Sequence, residues 1–160
     1  MKDLSKKIEN ISKSEISKIN HKINGINFLE ILKFQIIDSL DFDQISFEKN
    51  NIEDFNEKYE YEDENKKLEI LITSSKNSSV KLNTKIEKDT LIFCLNESLS
   101  INLLDYKTKK NINIKCIPKT GIVLPNQTNC NLKFAKNVIF VEINLIDKLK
   151  NIENIKNDTI

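Results

Sequence analysis

Three cysteines, one histidine and two glycines bound the chemistry open to this 160-residue chain. Cys94, Cys116 and Cys130 show no C-x-x-C spacing, so they suggest neither a disulfide framework nor a zinc ribbon and read as reduced thiols. Gly25 and Gly121 lie too far apart to build a glycine-rich loop that cradles phosphate. His21 falls in a helical N-terminal segment, so no Ser-His-Asp triad can be assembled around it. Glu60 with Glu62, and Glu87 with Asp89, are same-face neighbours on extended chain and read as solvated charges. Lys107, Lys109 and Lys110 make one basic hairpin tip without interleaved aromatic residues.

Charge and hydropathy exclude further classes. Twenty-five basic residues, all lysine, stand against 24 acidic ones, and a net charge of +1 gives no field to steer the chain to nucleic acid. The densest apolar run, Ile31 to Ile37, is interrupted and well short of the roughly 20 residues that span a bilayer. Residues 1–20 hold lysines spread among acids instead of the unbroken apolar stretch of a secretory signal. The expectation is a cytoplasmic protein with no nucleic-acid or membrane partner.

The elements that must position these groups change in texture along the chain. Leu4, Ile8, Ile11, Ile16, Ile19 and Ile23 recur three to five residues apart, which predicts a helix to about Lys22 with Asn24-Gly25 as its stop. Phe28 to Ile37 is apolar at mixed spacing, helix or strand, and helix is the preferred reading. The acid-rich segment 53–67, with Phe55, Tyr59 and Tyr61 among its charges, reads as a solvated connection holding at most one edge strand. Beyond Lys67 short runs rich in Ile, Leu, Val, Phe and Thr alternate with polar clusters. Strands are expected near Leu68–Thr73, Val80–Lys85, Leu91–Leu95, Ser98–Leu104, Asn111–Cys116, Gly121–Leu124, Cys130–Phe134 and Val138–Asn144, a spacing that suits a sandwich or barrel. Asp105 to Lys110 reads as a hairpin loop. Leu145, Leu149, Ile152 and Ile155 suggest a C-terminal helix. The organisation expected is an N-terminal helical segment and acidic connection over 1–66, a barrel over 67–145 and a helix or tail over 146–160.

Two stretches of the β half resemble the cupin family. Val80 to Leu103 (VKLNTKIEKDTLIFCLNESLSINL) is similar to the first cupin motif, in which H-x-H, a spacer and Glu precede an apolar strand, a turn and a second strand. Lys119 to Phe134 (KTGIVLPNQTNCNLKF) is similar to the second, a Gly-Asp turn, an apolar strand, P-x-G-x-x-H and a further strand. Phe93 to Leu99 and Ile122 to Pro125 carry most of the likeness. The resemblance implies a mainly β fold, a double-stranded β-helix or jelly-roll barrel, with helices before it and a short helix after it. It also implies pairing as a homodimer through an outer sheet face or an edge strand, which the N-terminal helices would cap.

The departures fall where a cupin holds its metal. Asn83 and Lys85 take the places of the two histidines, Thr90 that of the glutamate, Gln127 that of the glycine and Cys130 that of the last histidine. An amide, a hydroxyl, a cation and one thiol do not make a transition-metal site, so neither metal nor other cofactor is expected. Period-two alternation puts Cys94 on the face of Thr90 and Ile92. Asn83, Lys85, Thr90, Cys94, Gln127 and Cys130 are therefore candidates to line a ligand pocket, against the plainer reading of the cysteines as core fillers and Lys85 as a strand-end lysine. The function expected is a non-enzymatic, metal-free domain that binds a small molecule or a protein partner. The alternative is a divergent enzyme acting on a sugar or organic acid, with Cys130 as nucleophile or acid and Lys85 holding an anionic group.

Overall fold

A computed structural model describes residues 2–18, 25–41, 54–62, 66–85, 88–105, 108–126 and 128–147, the side chains of 2, 82–85, 105 and 128 excepted. Helix α1 spans Lys2–Ser17 and α2 spans Gly25–Ser39. On α1 the buried stripe is Ser5, Ile8, Ser12 and Ile16; the spacing foretold Ile8 and Ile16, whereas Leu4 and Ile11 are half-buried and two serines share the stripe. The helix ends sooner than expected, at Ser17, and positions 19–24, His21 included, lie outside the described residues. Gly25 does not stop α1; it opens α2. Its bare Cα lets Asp89 and Leu145 lie close, for a Cβ would stand 2.5 Å from Asp89 Oδ2 and 3.2 Å from Leu145 Cδ2. The acidic Asp89 thereby sits against a helix N-terminus, where a negative charge is favourable. Phe28, Leu29, Leu32 and Ile36 make the buried stripe of α2 and settle Phe28 to Ile37 as helix.

Nine strands follow among the described residues: β1 Phe55–Glu62, β2 Lys66–Ser75, β3 Ser79–Lys85, β4 Asp89–Cys94, β5 Leu99–Asp105, β6 Asn111–Cys116, β7 Thr120–Leu124, β8 Thr128–Phe134 and β9 Val138–Asp147. Every run expected as a strand is one. The acid-rich segment is more than a connection, since β1 pairs with β2 residue for residue from Phe55 opposite Ser74 to Glu62 opposite Lys67. Its odd-numbered residues Phe55, Tyr59 and Tyr61 pack against the helix-side core, which draws an otherwise polar strand onto the sheet. Leu145, expected to begin a helix, instead continues β9 as far as Asp147, and positions 148–160 lie outside the described residues.

The strands form two antiparallel sheets, β1-β2-β9-β4-β7 and β3-β8-β5-β6. The pairs β2 with β9, β3 with β8, β4 with β7 and β5 with β6 are nested, first with last, as in one long hairpin folded over into two sheets. That nesting is a jelly roll. Two cores result. Between the sheets lie Ile92, Cys94, Leu99, Ile101, Cys116, Leu124, Cys130, Leu132, Phe134, Val138 and Phe140. Outside the five-stranded sheet, its alternate residues Leu68, Ile70, Ile72, Leu91, Phe93, Val141 and Ile143 meet both helices. The helices therefore cover the outer face of the five-stranded sheet. Gly121 of β7 lets α2 lie close, for a Cβ there would come within 2.8 Å of Phe93 Cδ2 and 3.1 Å of Lys33 Cγ.

Candidate functional site

The turns that close the barrel are built by local chemistry. Pro118 and Lys119, the latter at φ 67°, make the turn between β6 and β7, and Lys119 N donates to Cys94 O at 2.9 Å. Asn96, inside the stretch similar to the first cupin motif, clamps the β8–β9 turn. Its Nδ2 donates to Asn137 O at 2.8 Å and its Oδ1 accepts from Ile139 N at 2.7 Å. Asn137 itself holds φ 60°, a conformation asparagine tolerates.

These turns bring the sheets into register and leave the interior divided. On the inward face of the five-stranded sheet, Phe140 and Cys94 lie opposite each other in one row, Glu142 and Ile92 in the next, and Asn144 and Thr90 in the third. The first row is apolar and the third is polar. Thr90 Oγ1 donates to Asn144 Oδ1 at 2.7 Å, and Asn144 Nδ2 donates to Glu142 Oε2 at 3.5 Å. Thr90, Asn144 and Glu142 are all buried, Glu142 to 2 % exposure. Lys81 reaches across from β3, its Nζ 4.0 Å from Glu142 Oε2. Beside them on β2, Glu69 is also buried and pairs with Lys88 at 3.0 Å and Lys67 at 3.8 Å. One end of the barrel interior is thus lined by carboxylates, an amide and a hydroxyl, with lysines at the rim.

Of the residues singled out by sequence, Thr90 belongs to this polar row. Cys94 faces the interior as alternation required, but at the apolar end, where its Sγ donates to Cys116 O at 3.4 Å. Hydrogen bonding with Cys116, together with burial, pushes the Cys94 thiol well above its ordinary range, while hydrogen bonding from Cys94 draws Cys116 down to about 7. Cys130 is buried in the apolar core, the setting of a thiol used as packing. In backbone register Asn83 lies opposite Cys130 and Lys85 opposite Thr128, so the two cupin-like stretches do meet in space. The side chains of Asn83 and Lys85, and the whole of Gln127, lie outside the described residues. Sequence reasoning missed Glu142, Asn144 and Glu69. The signal was present in VIFVEINLID, where a carboxylate and an amide two residues apart interrupt a run that is apolar on both faces.

The family resemblance implies a metal at this end of the barrel, and the described donors do not suit one. Glu142 and Glu69 stand beside an amide and a hydroxyl with no imidazole or thiolate among them, and the Lys81, Lys88 and Lys67 ammonium groups near these carboxylates oppose a cation. Among the described residues no three of His, Cys, Asp and Glu come together as a metal-holding set.

No family model matches the sequence. No curated protein matches it either. Among solved structures, a protein of Bacillus halodurans is similar at 12% identity over 65% of this chain and 79% of the other, with a TM-score of 0.48. The cupin domain of Schizosaccharomyces pombe Cnp3 is similar at 7% identity over 68% of this chain and 74% of its own, TM-score 0.47. Procruciferin, an 11S globulin of Brassica napus, is similar at 9% identity and a TM-score of 0.43, over 48% of this chain and only 20% of its own. The nested strand pairing by itself makes this chain a jelly-roll barrel.

Proposed function

We infer that this chain is a non-enzymatic, metal-free cupin-like domain that binds a small polar molecule at the polar end of its barrel. The observation that carries the reading is the buried polar cluster of Glu142, Asn144 and Thr90, with Glu69 beside it, in a barrel whose other end is apolar. A buried carboxylate costs several kcal/mol of desolvation that leucine or isoleucine would avoid, so fold stability alone does not account for it. Carboxylate and amide together offer acceptors and donors to a hydroxyl-rich ligand, and Lys81 offers a cation to a carboxylate on the same ligand. The ligand class that fits is a sugar or a hydroxylated organic acid. No observation favours Cys130 as an acting nucleophile, because it sits among Leu132, Leu103 and other apolar side chains.

Thermal-shift measurements with a panel of monosaccharides and hydroxy acids test this. At least one compound is expected to raise the Tm of the native chain and to leave that of Asn144→Ala unmoved. A panel without effect on the native chain, or equal shifts in both proteins, would count against the site.

A further inference from the structure

We propose that Cys94 and Cys116 are an oxidisable pair, which a small hydroperoxide closes into a disulfide tying the two sheets together at the apolar end of the barrel. The two residues come from different sheets, Cys94 from the last position of β4 and Cys116 from the last position of β6. The turn from β6 into β7 brings them together. Thr120, the first residue of β7, lies directly opposite Cys94, and Lys119 N donates to Cys94 O at 2.9 Å. Cys116 reaches the same point, its Sγ 3.6 Å from Thr120 O and 3.7 Å from Thr120 Oγ1. Cys94 Sγ in turn donates to Cys116 O at 3.4 Å. Two thiols fixed by one turn and hydrogen-bonded to each other need movement of side chains, and none of strands, to form the bond.

The third thiol stands apart. On the inward face of the four-stranded sheet, Cys116, Leu99 and Phe134 share one row, Ile114, Ile101 and Leu132 the next, and Ile112, Leu103 and Cys130 the third. Cys130 is therefore four residues along the strands from the row of Cys116, about 13 Å at strand spacing. The pair is selected by register, since burial is common to all three cysteines.

Hydrogen bonding from Cys94 holds the Cys116 thiol below its ordinary range, so Cys116 supplies the attacking thiolate. Its sulfur attacks one peroxide oxygen, the O–O bond breaks, and the departing hydroxide takes a proton to become water, which leaves Cys116 as a sulfenic acid. Cys94 Sγ then attacks the Cys116 sulfur, the S–O bond breaks, and the Cys94 proton leaves with the hydroxide as a second water. Two thiols are oxidised to one disulfide, and one hydrogen peroxide is reduced to two waters. Both sulfurs are buried, Cys94 at 0 % and Cys116 at 1 % exposure, so the oxidant must be small, and the short β6–β7 turn with its exposed Ile117 is the way in. In the reduced protein both thiols serve as packing, and exchange with a dithiol returns the bond to them. The bond closes a loop between residues 22 apart, so the oxidised barrel resists unfolding more than the reduced one.

Hydrogen peroxide added to the folded full chain tests the inference, with free thiols counted afterwards in denaturant and the bond located by peptide mass spectrometry. The count is expected to fall from three thiols to one, with Cys94 and Cys116 in linked peptides, and dithiothreitol is expected to restore all three. The oxidised protein is expected to have the higher Tm. Cys130→Ala, shown to be folded by far-UV circular dichroism, should lose both of its remaining thiols in the same way. Cys94→Ala should leave a Cys116 sulfenic acid that dimedone traps. A folded chain that keeps its three thiols, a bond to Cys130 or between two chains, a bond that forms only in denaturant, or an oxidised barrel with no higher Tm would each overturn the proposal.

Discussion

The hydroxyl of Thr90 and the amide of Asn144 show how much one side-chain contact decides at the polar end. Thr90 has nearly the shape of valine, and its burial between β7 and β9 would suit either residue. What separates them is the 2.7 Å hydrogen bond to Asn144 Oδ1, which orients the amide with its Nδ2 towards Glu142. Thr90→Val is expected to lower stability in urea by about 1–3 kcal/mol, since it withdraws a donor from a buried acceptor while keeping the volume. Combined with Asn144→Leu, the loss should be clearly less than the sum of the two single losses, because the partners act as a unit. Strict additivity would mean that the contact does not hold the row together. The three cysteines are all buried, the setting of thiols used as packing.

At the scale of the element, the helices are fixed by where a glycine permits close approach. Alanine at position 121 would ordinarily help a strand, since glycine carries the greater entropy cost on folding. Here its Cβ would meet Phe93 Cδ2 at 2.8 Å, Leu91 Cδ1 at 3.0 Å and Lys33 Cγ at 3.1 Å. Gly121→Ala is therefore expected to destabilise by about 1–3 kcal/mol, the usual range for overfilling a packed core. Equal or greater stability in denaturant unfolding would show that α2 is not seated tightly on β7. The strand boundaries were largely readable because alternation and turn residues are local. β1 was read only as an edge strand within a solvated connection, because its glutamates mask the period-two pattern by which Phe55, Tyr59 and Tyr61 meet the helix-side core.

For the whole molecule, the nested strand pairing makes a barrel whose interior has one apolar and one polar end, and the donor set at the polar end bears on metal binding. Protein purified without a polyhistidine tag is expected to carry far less than one transition metal per chain by mass spectrometry, and Cys130→Ala should not change that value. Metal near one per chain that is lost in the variant would move the enzyme reading ahead of the binding reading.

The sequence by itself determined the texture of the fold: two helices, then a succession of short strands in an order that suits a barrel. It also determined the absence of glycine-rich phosphate loops and of a triad, because those depend on residue types and their spacing. Gly25 was misjudged from sequence because its role depends on contacts with Asp89 and Leu145, far away in the chain. Of the candidate site, Thr90 and the inward face of Cys94 could be read from alternation along one strand. Only the tertiary structure placed Asn144 opposite Thr90, 54 residues away, and set Lys81 near Glu142 from the other sheet. Burial and pairing across sheets are properties of the assembled barrel, and a carboxylate in a strand looks like any solvated charge until its neighbours are in place.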